Sequence, residues 1–126
     1  MKKTVFLIVL VGSIALAACC ATSPGPSSTQ RVLTLAVDSL TQGDGVRYRE
    51  LVLKAHADDP DDPFVINNMG LVAEMDGKMY QARQYYWLAW QRAGSLTVFT
   101  TSNGRYQGKL LKDMTWENYE RIMSRN

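Results

Sequence analysis

A recurrence at a spacing of 34 residues constrains this chain more than any other feature. Shifted by that distance, Val32 falls on Ile66, Leu35 on Met69, Ala36 on Gly70, Gly43 on Gly77 and Ala55 on Ala89. A period of this length marks a supersecondary unit that cannot bury its own apolar face and must stack on a neighbour. Each unit has a small residue in its first half, a glycine in the middle and a small residue late in its second half. That order predicts two helices joined by a tight turn.

The second unit is the clearer one and runs from Pro63 to about Gly94. Pro63 suits a helix start, because the N–H it lacks has no intrahelical partner there. Asp61 or Asp62 can cap that end or favour it electrostatically. Ile66, Met69, Gly70 and Ala73 recur on one helical face, Gly77 breaks the helix, and Ala82, Tyr86 and Ala89 mark the inner face of the next. Gly70 and Ala82 are expected to be small because two helix backbones approach closely. Met69-Gly70, Ala73, Gly77, Ala82, Tyr86 and Ala89 together resemble the tetratricopeptide repeat, and Asn67-Asn68-Met69-Gly70 is similar to its Asn-x-Leu-Gly variant.

The first unit, Thr29 to Asp62, matches through Leu35, Ala36, Gly43, Ala55 and Pro60. Tyr48 stands where the pattern wants alanine and is expected to push the helices apart or turn outward. Ser39 stands where an aromatic is usual. Beyond Gly94 no third unit follows. Ser95 to Lys112 is rich in Thr, Gly and polar residues, and Asn103-Gly104 signals a turn. A last helix is expected over about 114–124, capped by Asp113 or Thr115, with Trp116, Tyr119 and Met123 on one face and Ile122 beside them. The expected fold is all-α: two tetratricopeptide-type helix-turn-helix repeats over 31–94 and a capping segment over 95–126. Two repeats are fewer than the three usually needed, so either this tail completes the core or a partner does.

Ahead of the repeats lies a targeting pattern. Lys2 and Lys3 precede an uncharged apolar run from Val5 to Leu16, a length that suits a signal peptide rather than a spanning helix. Leu16-Ala17-Ala18-Cys19 resembles a bacterial lipobox. The resemblance implies removal of residues 1–18 and acylation of the Cys19 sulfur and amino group. Two or more acyl chains hold a protein stably on a bilayer. Cys20, rather than aspartate, follows the acylated position, which resembles the class bound to the outer membrane. Residues 19–30 then comprise the lipidated cysteine and a Pro/Gly/Ser/Thr-rich tether. With Cys19 acylated, Cys20 has no cysteine to pair with inside the chain.

Without Lys2 and Lys3 the 14 basic residues become 12, matching the 12 acidic ones. A neutral chain exerts little long-range attraction on nucleic acid, and no such partner is expected. Catalysis needs a nucleophile, an acid–base pair or a metal cage. The sole histidine, His56, falls late in a helix, and no His/Cys cluster or phosphate-binding glycine loop is present. The acidic run Asp58 to Asp62 lacks the length, glycine and distal glutamate of an EF-hand and reads as an inter-repeat turn. No enzyme activity, small-molecule substrate, cofactor or metal is expected. The dense aromatics Tyr80, Tyr85, Tyr86, Trp87 and Trp90 are expected to be mostly buried, with Tyr85 and Trp90 against the C-terminal segment.

The tetratricopeptide resemblance implies a peptide groove lined by the first helix of each repeat. On this chain its positions are Leu33, Val37 and Leu40 from the first repeat and Asn67, Leu71 and Glu74 from the second. Lys and Arg are absent from those faces, so a basic clamp for a C-terminal carboxylate is not expected. The expected role is a protein-interaction scaffold on the periplasmic face of the outer membrane. Small lipoproteins with such repeats resemble assembly factors of tight-adherence (Flp) pili and related secretion systems. A general scaffold for cell-wall or outer-membrane-protein assembly is the alternative.

Overall fold

The structure, a computed structural model, describes residues 25–99 and 101–125. The targeting segment, Cys19, Cys20 and the first part of the tether lie outside the described residues. Five helices follow one another: α1 (Ser28–Thr41), α2 (Gly45–Asp58), α3 (Pro63–Met75), α4 (Met79–Arg92) and α5 (Leu111–Met123). Helix α1 packs on α2 and α3 on α4; α2 and α3 join the two hairpins, and α5 packs on α4. The fold is all-α, with one isolated antiparallel bridge, Thr97 to Leu110, among the described residues.

The two hairpins are copies down to their turns. Gly43 and Gly77 have φ of +79° and +72°, a left-handed conformation that glycine adopts without steric cost. The N–H of Asp44 donates to Ser39 O and that of Lys78 to Ala73 O, both at 2.9 Å. Gly43 N–H donates to Leu40 O and Gly77 N–H to Glu74 O, both at 3.0 Å. Each pair of bonds is a Schellman closure, which satisfies the orphan carbonyls of a helix end.

Side chains cap the starts of α1, α2 and α3. Ser27 Oγ accepts from Gln30 N and Gln30 Oε1 accepts from Ser27 N, a capping box at 3.1 and 3.0 Å. The tether therefore ends at Ser27, and Ser28, Thr29 and Gln30, expected to belong to it, are the first turn of α1. Asp62 Oδ1 accepts from Phe64 N at 2.7 Å and from Val65 N at 3.2 Å, with Pro63 at N1 as expected. Asp61 instead pairs with Arg92, at 2.6 Å. Helix α5 begins at Leu111, earlier than expected, and neither Asp113 nor Thr115 caps it. Its entry is held by backbone: Leu111 N–H donates to Leu96 O and Val98 N–H to Lys109 O, each at 2.8 Å.

The core forms three linked clusters. Leu33, Ala36, Tyr48, Val52, Ala55, Val65, Met69 and Val72 join α1, α2 and α3. Ala73, Ala82, Tyr86 and Ile122 join α3, α4 and α5. Ala93, Val98, Leu111 and Met114 seal the base of α5. One expectation is corrected here. Tyr48 neither turns outward nor separates the helices: it is fully buried, and its Oη donates to Asn68 Oδ1 at 2.8 Å, tying α2 to α3. On α5, the buried face is Leu111, Met114, Thr115 and Ile122, whereas Trp116 and Met123 are exposed. Ser39 is buried without an aromatic partner's bulk, its Oγ donating to Leu35 O at 2.9 Å.

Helix α5 completes the stack. Asn118 bonds to Asn67, and Arg121 and Arg125 bond to Glu74. Both helices are therefore met in ascending order, so α5 runs parallel to α3. It takes the place that the first helix of a third repeat would fill, and the tail rather than a partner covers Tyr86.

Candidate partner-docking cleft

The parallel helices α1, α3 and α5 line a concave face, and the loop between α4 and α5 forms one rim. The face holds two adjoining clefts that share Val37, Phe64 and Asn68. One, of about 320 Å³, is mainly apolar, with Leu33, Phe64 and Phe99 among its lining. The other, of about 410 Å³, runs from Leu40 and Leu71 to Asn67, Asn118, Arg105 and Arg121. A ligand lying along both would pass from apolar contacts to amide and guanidinium donors.

Five of the six expected groove residues line these clefts: Leu33, Val37, Leu40, Asn67 and Leu71. Their availability differs. Val37, Leu40 and Leu71 are half-buried and present side-chain surface. Leu33 is committed mainly to the first core cluster. Asn67 is buried, and its Oδ1 accepts from Asn118 Nδ2 at 3.2 Å, so α5 already occupies that acceptor.

Glu74 is the hub that holds α5. Its Oε2 accepts from Arg121 Nη2 at 2.8 Å and from Tyr86 Oη at 3.0 Å; its Oε1 accepts from Arg121 Nη1 and, at 3.0 Å, from Arg125. A bidentate guanidinium on a carboxylate is both strong and orientationally specific. The Arg121 hydrogen bond holds the Glu74 carboxyl below its ordinary value, against desolvation and aided by Tyr86. Burial, with the neighbouring carboxylate, pushes the Tyr86 phenol up.

A depressed carboxyl stabilises the fold above its unfolded value, and that contribution is lost as pH falls through the folded one. The Tm of the native chain should therefore fall more steeply below about pH 4.5 than that of Glu74→Gln, measured by circular dichroism. At neutral pH the Gln variant should lose on the order of 1 kcal/mol, discounted because Arg121 is partly exposed. Parallel pH profiles would show that Glu74 carries no linkage.

Sequence reasoning missed the cations of the cleft. Arg121 comes from α5, while Arg105 and Tyr106 come from the short 3-10 turn Gly104–Tyr106. Arg105 and Tyr106 both bond to Glu117, and Asn103 Oδ1 caps the turn by accepting from Arg105 N at 3.1 Å. Burial first, then the Glu117 bond, raises the Tyr106 phenol. Each cleft arginine is thus paired with an acid. The recoverable signal was the empty first-helix slot after α4, which α5 fills with Asn118 and Arg121. His56 lies in the last turn of α2, away from both clefts. Among the described residues, no group of three or more His, Cys, Asp or Glu is placed to hold a metal ion.

Two 34-residue hairpins with identical turns, small residues at matched helical positions and a parallel capping helix define an all-α fold of tetratricopeptide type. A known protein carries the same kind of stretch. Over 44 residues, 35% of this chain, the sequence is 46% identical to the TPR repeat-containing protein PA4667 of Pseudomonas aeruginosa. The matched part amounts to 8% of that protein's length. No family model matches the chain, and no solved structure matches it.

Proposed function

We propose that this chain is a protein-interaction scaffold, tethered to the periplasmic face of the outer membrane through acylated Cys19. The α1–α3–α5 cleft receives an extended segment of a protein partner. The observation that carries the reading is the cleft itself: apolar side chains at Val37 and Leu71 line it together with the amides of Asn67 and Asn118 and the acid-paired guanidinium groups of Arg105 and Arg121. Such a surface suits a chain with both side chains and backbone polar groups to bury. The order of basic residues, apolar run and Leu-Ala-Ala-Cys supports the anchor. On the resemblance of small repeat lipoproteins, the finer reading is assembly of a tight-adherence (Flp) pilus or a related secretion system.

Two changes test it. Cys19→Ser should move the protein from the membrane to the soluble fraction; retention after washing would refute acylation as the anchor. Val37→Arg with Leu71→Arg should abolish crosslinked capture of the partner while the helical circular dichroism remains. Undiminished capture of the same partner would show that it docks elsewhere.

A further inference from the structure

A second surface lies on the seam between α4 and α5. Trp87 and Trp90 of α4 stack at 4.9 Å between centroids. Trp116 and Tyr119 of α5 stack at 5.5 Å. The two pairs meet, with Trp90 to Trp116 at 5.5 Å and Trp87 to Tyr119 at 5.6 Å. Trp87 and Trp116 are 39% and 37% exposed, large fractions for tryptophan beside packed neighbours. None of the four rings lines the clefts, so both surfaces can be occupied at once. Cations sit on the same surface: Lys112 Nζ lies 4.7 Å over Trp90, and along α4 Arg83 lies 5.1 Å over the exposed ring of Tyr80.

We propose that this aromatic seam rests on the headgroup region of the bilayer that carries the anchor. Indole and phenol rings have apolar bodies and polar edges, and they concentrate at membrane–water interfaces. The rings rather than the charges carry the contact, because Lys112 and Arg83 are balanced by exposed Asp113 and Glu120, which neighbour Trp116 on α5 at i−3 and i+4. Ring geometry disfavours a docking helix. Helix packing needs grooves to take side-chain ridges, and rings already stacked on one another leave the seam filled.

The inference rests on the anchor reading above, which also makes weak contacts sufficient. Cys19 and Ser27 are separated by at most roughly 26–29 Å of extended chain. A domain held this close meets the bilayer at an effective concentration in the millimolar range.

The chain's three tryptophans are Trp87, Trp90 and Trp116, so fluorescence excited selectively at tryptophan reports on this seam. The full chain is reconstituted in phosphatidylethanolamine–phosphatidylglycerol vesicles, with and without lipids brominated near the headgroup. The expected result is strong quenching by the brominated lipids and loss of quenching by aqueous iodide. Trp116→Glu should restore iodide quenching of Trp87 and Trp90 while the chain stays in the vesicle fraction. Native tryptophans that remain open to iodide and insensitive to brominated lipid would overturn the proposal. So would emission that changes with protein concentration but not with lipid, which would assign the seam to a second copy of the chain. Failure of the anchor reading is seen separately, as an unchanged vesicle-bound fraction in Cys19→Ser, since the emission reads the seam however the chain is held.

Discussion

Replacing Gly70 with alanine should destabilise this protein by about 1–3 kcal/mol, although alanine is the better helix former by about 1 kcal/mol. A β-carbon at Gly70 would lie 2.6 and 2.7 Å from two ring carbons of Tyr86. The ring has nowhere to go: it is fully buried and its hydroxyl is fixed on Glu74. Overpacking therefore outweighs propensity. Gly70→Trp should be worse, because no rotamer avoids the same ring. The effect should be coupled to its cause, so that Gly70→Ala in a Tyr86→Leu background costs less than in the native chain. Thermal melts of the four proteins decide the matter, and a Gly70→Ala Tm at or above the native value would disprove the contact.

The second large effect runs against the repeat pattern. Tyr48→Ala introduces the alanine that the second repeat carries at the equivalent position, Ala82, yet it should cost about 3–5 kcal/mol. The two hairpins place their bulk differently. The first has Tyr48 and Val52 where the second, 34 residues on, has Ala82 and Tyr86, and all four are fully buried. One aromatic ring is thus moved by one helical turn. Removing the Tyr48 ring opens a void between α1, α2 and α3 and strands the Asn68 oxygen that its hydroxyl bonds. Tyr48→Phe should keep most of the stability, losing about 1 kcal/mol. Denaturant titration separates the outcomes: stabilisation by Tyr48→Ala would mean that the ring is strained rather than packed.

The same exchange explains the glycine. Where the ring stands at position 86, the facing helix needs Gly70. Where the corresponding side chain is Val52, the facing helix carries Ala36 in the same buried cluster. The expected reason for a small residue at 70 was the approach of two backbones. The contact is instead between a backbone and a ring, which spacing alone does not distinguish.

Local features were legible because their causes are local. The turns at Gly43 and Gly77, the Pro63 start and the Asp62 cap each depend on backbone sterics or a hydrogen bond within a few residues. The 34-residue recurrence carried the hairpins, because equal units stack with equal faces. The five expected groove residues that line the clefts came from the resemblance to the tetratricopeptide repeat and not from the recurrence itself. What remained hidden was contributed across the stack. Glu74 looked like a groove residue until Arg121 and Arg125, 47 and 51 positions later, were seen to hold it. The exposure of Trp116 and Met123 was equally hidden, because apolarity and spacing cannot tell a buried stripe from an exposed one.

Residue order alone specified helical hairpins of one repeating size, their turns at Gly43 and Gly77, and the start of α3 at Pro63. Packing alone settled that the last helix runs parallel to α3, that it brings Arg121 to the cleft, and that four aromatic rings meet on the outer seam. Turns and caps are settled by neighbours along the chain. Which face of α5 is buried depends on the shape left open by α3 and α4, and that shape exists only after they have packed.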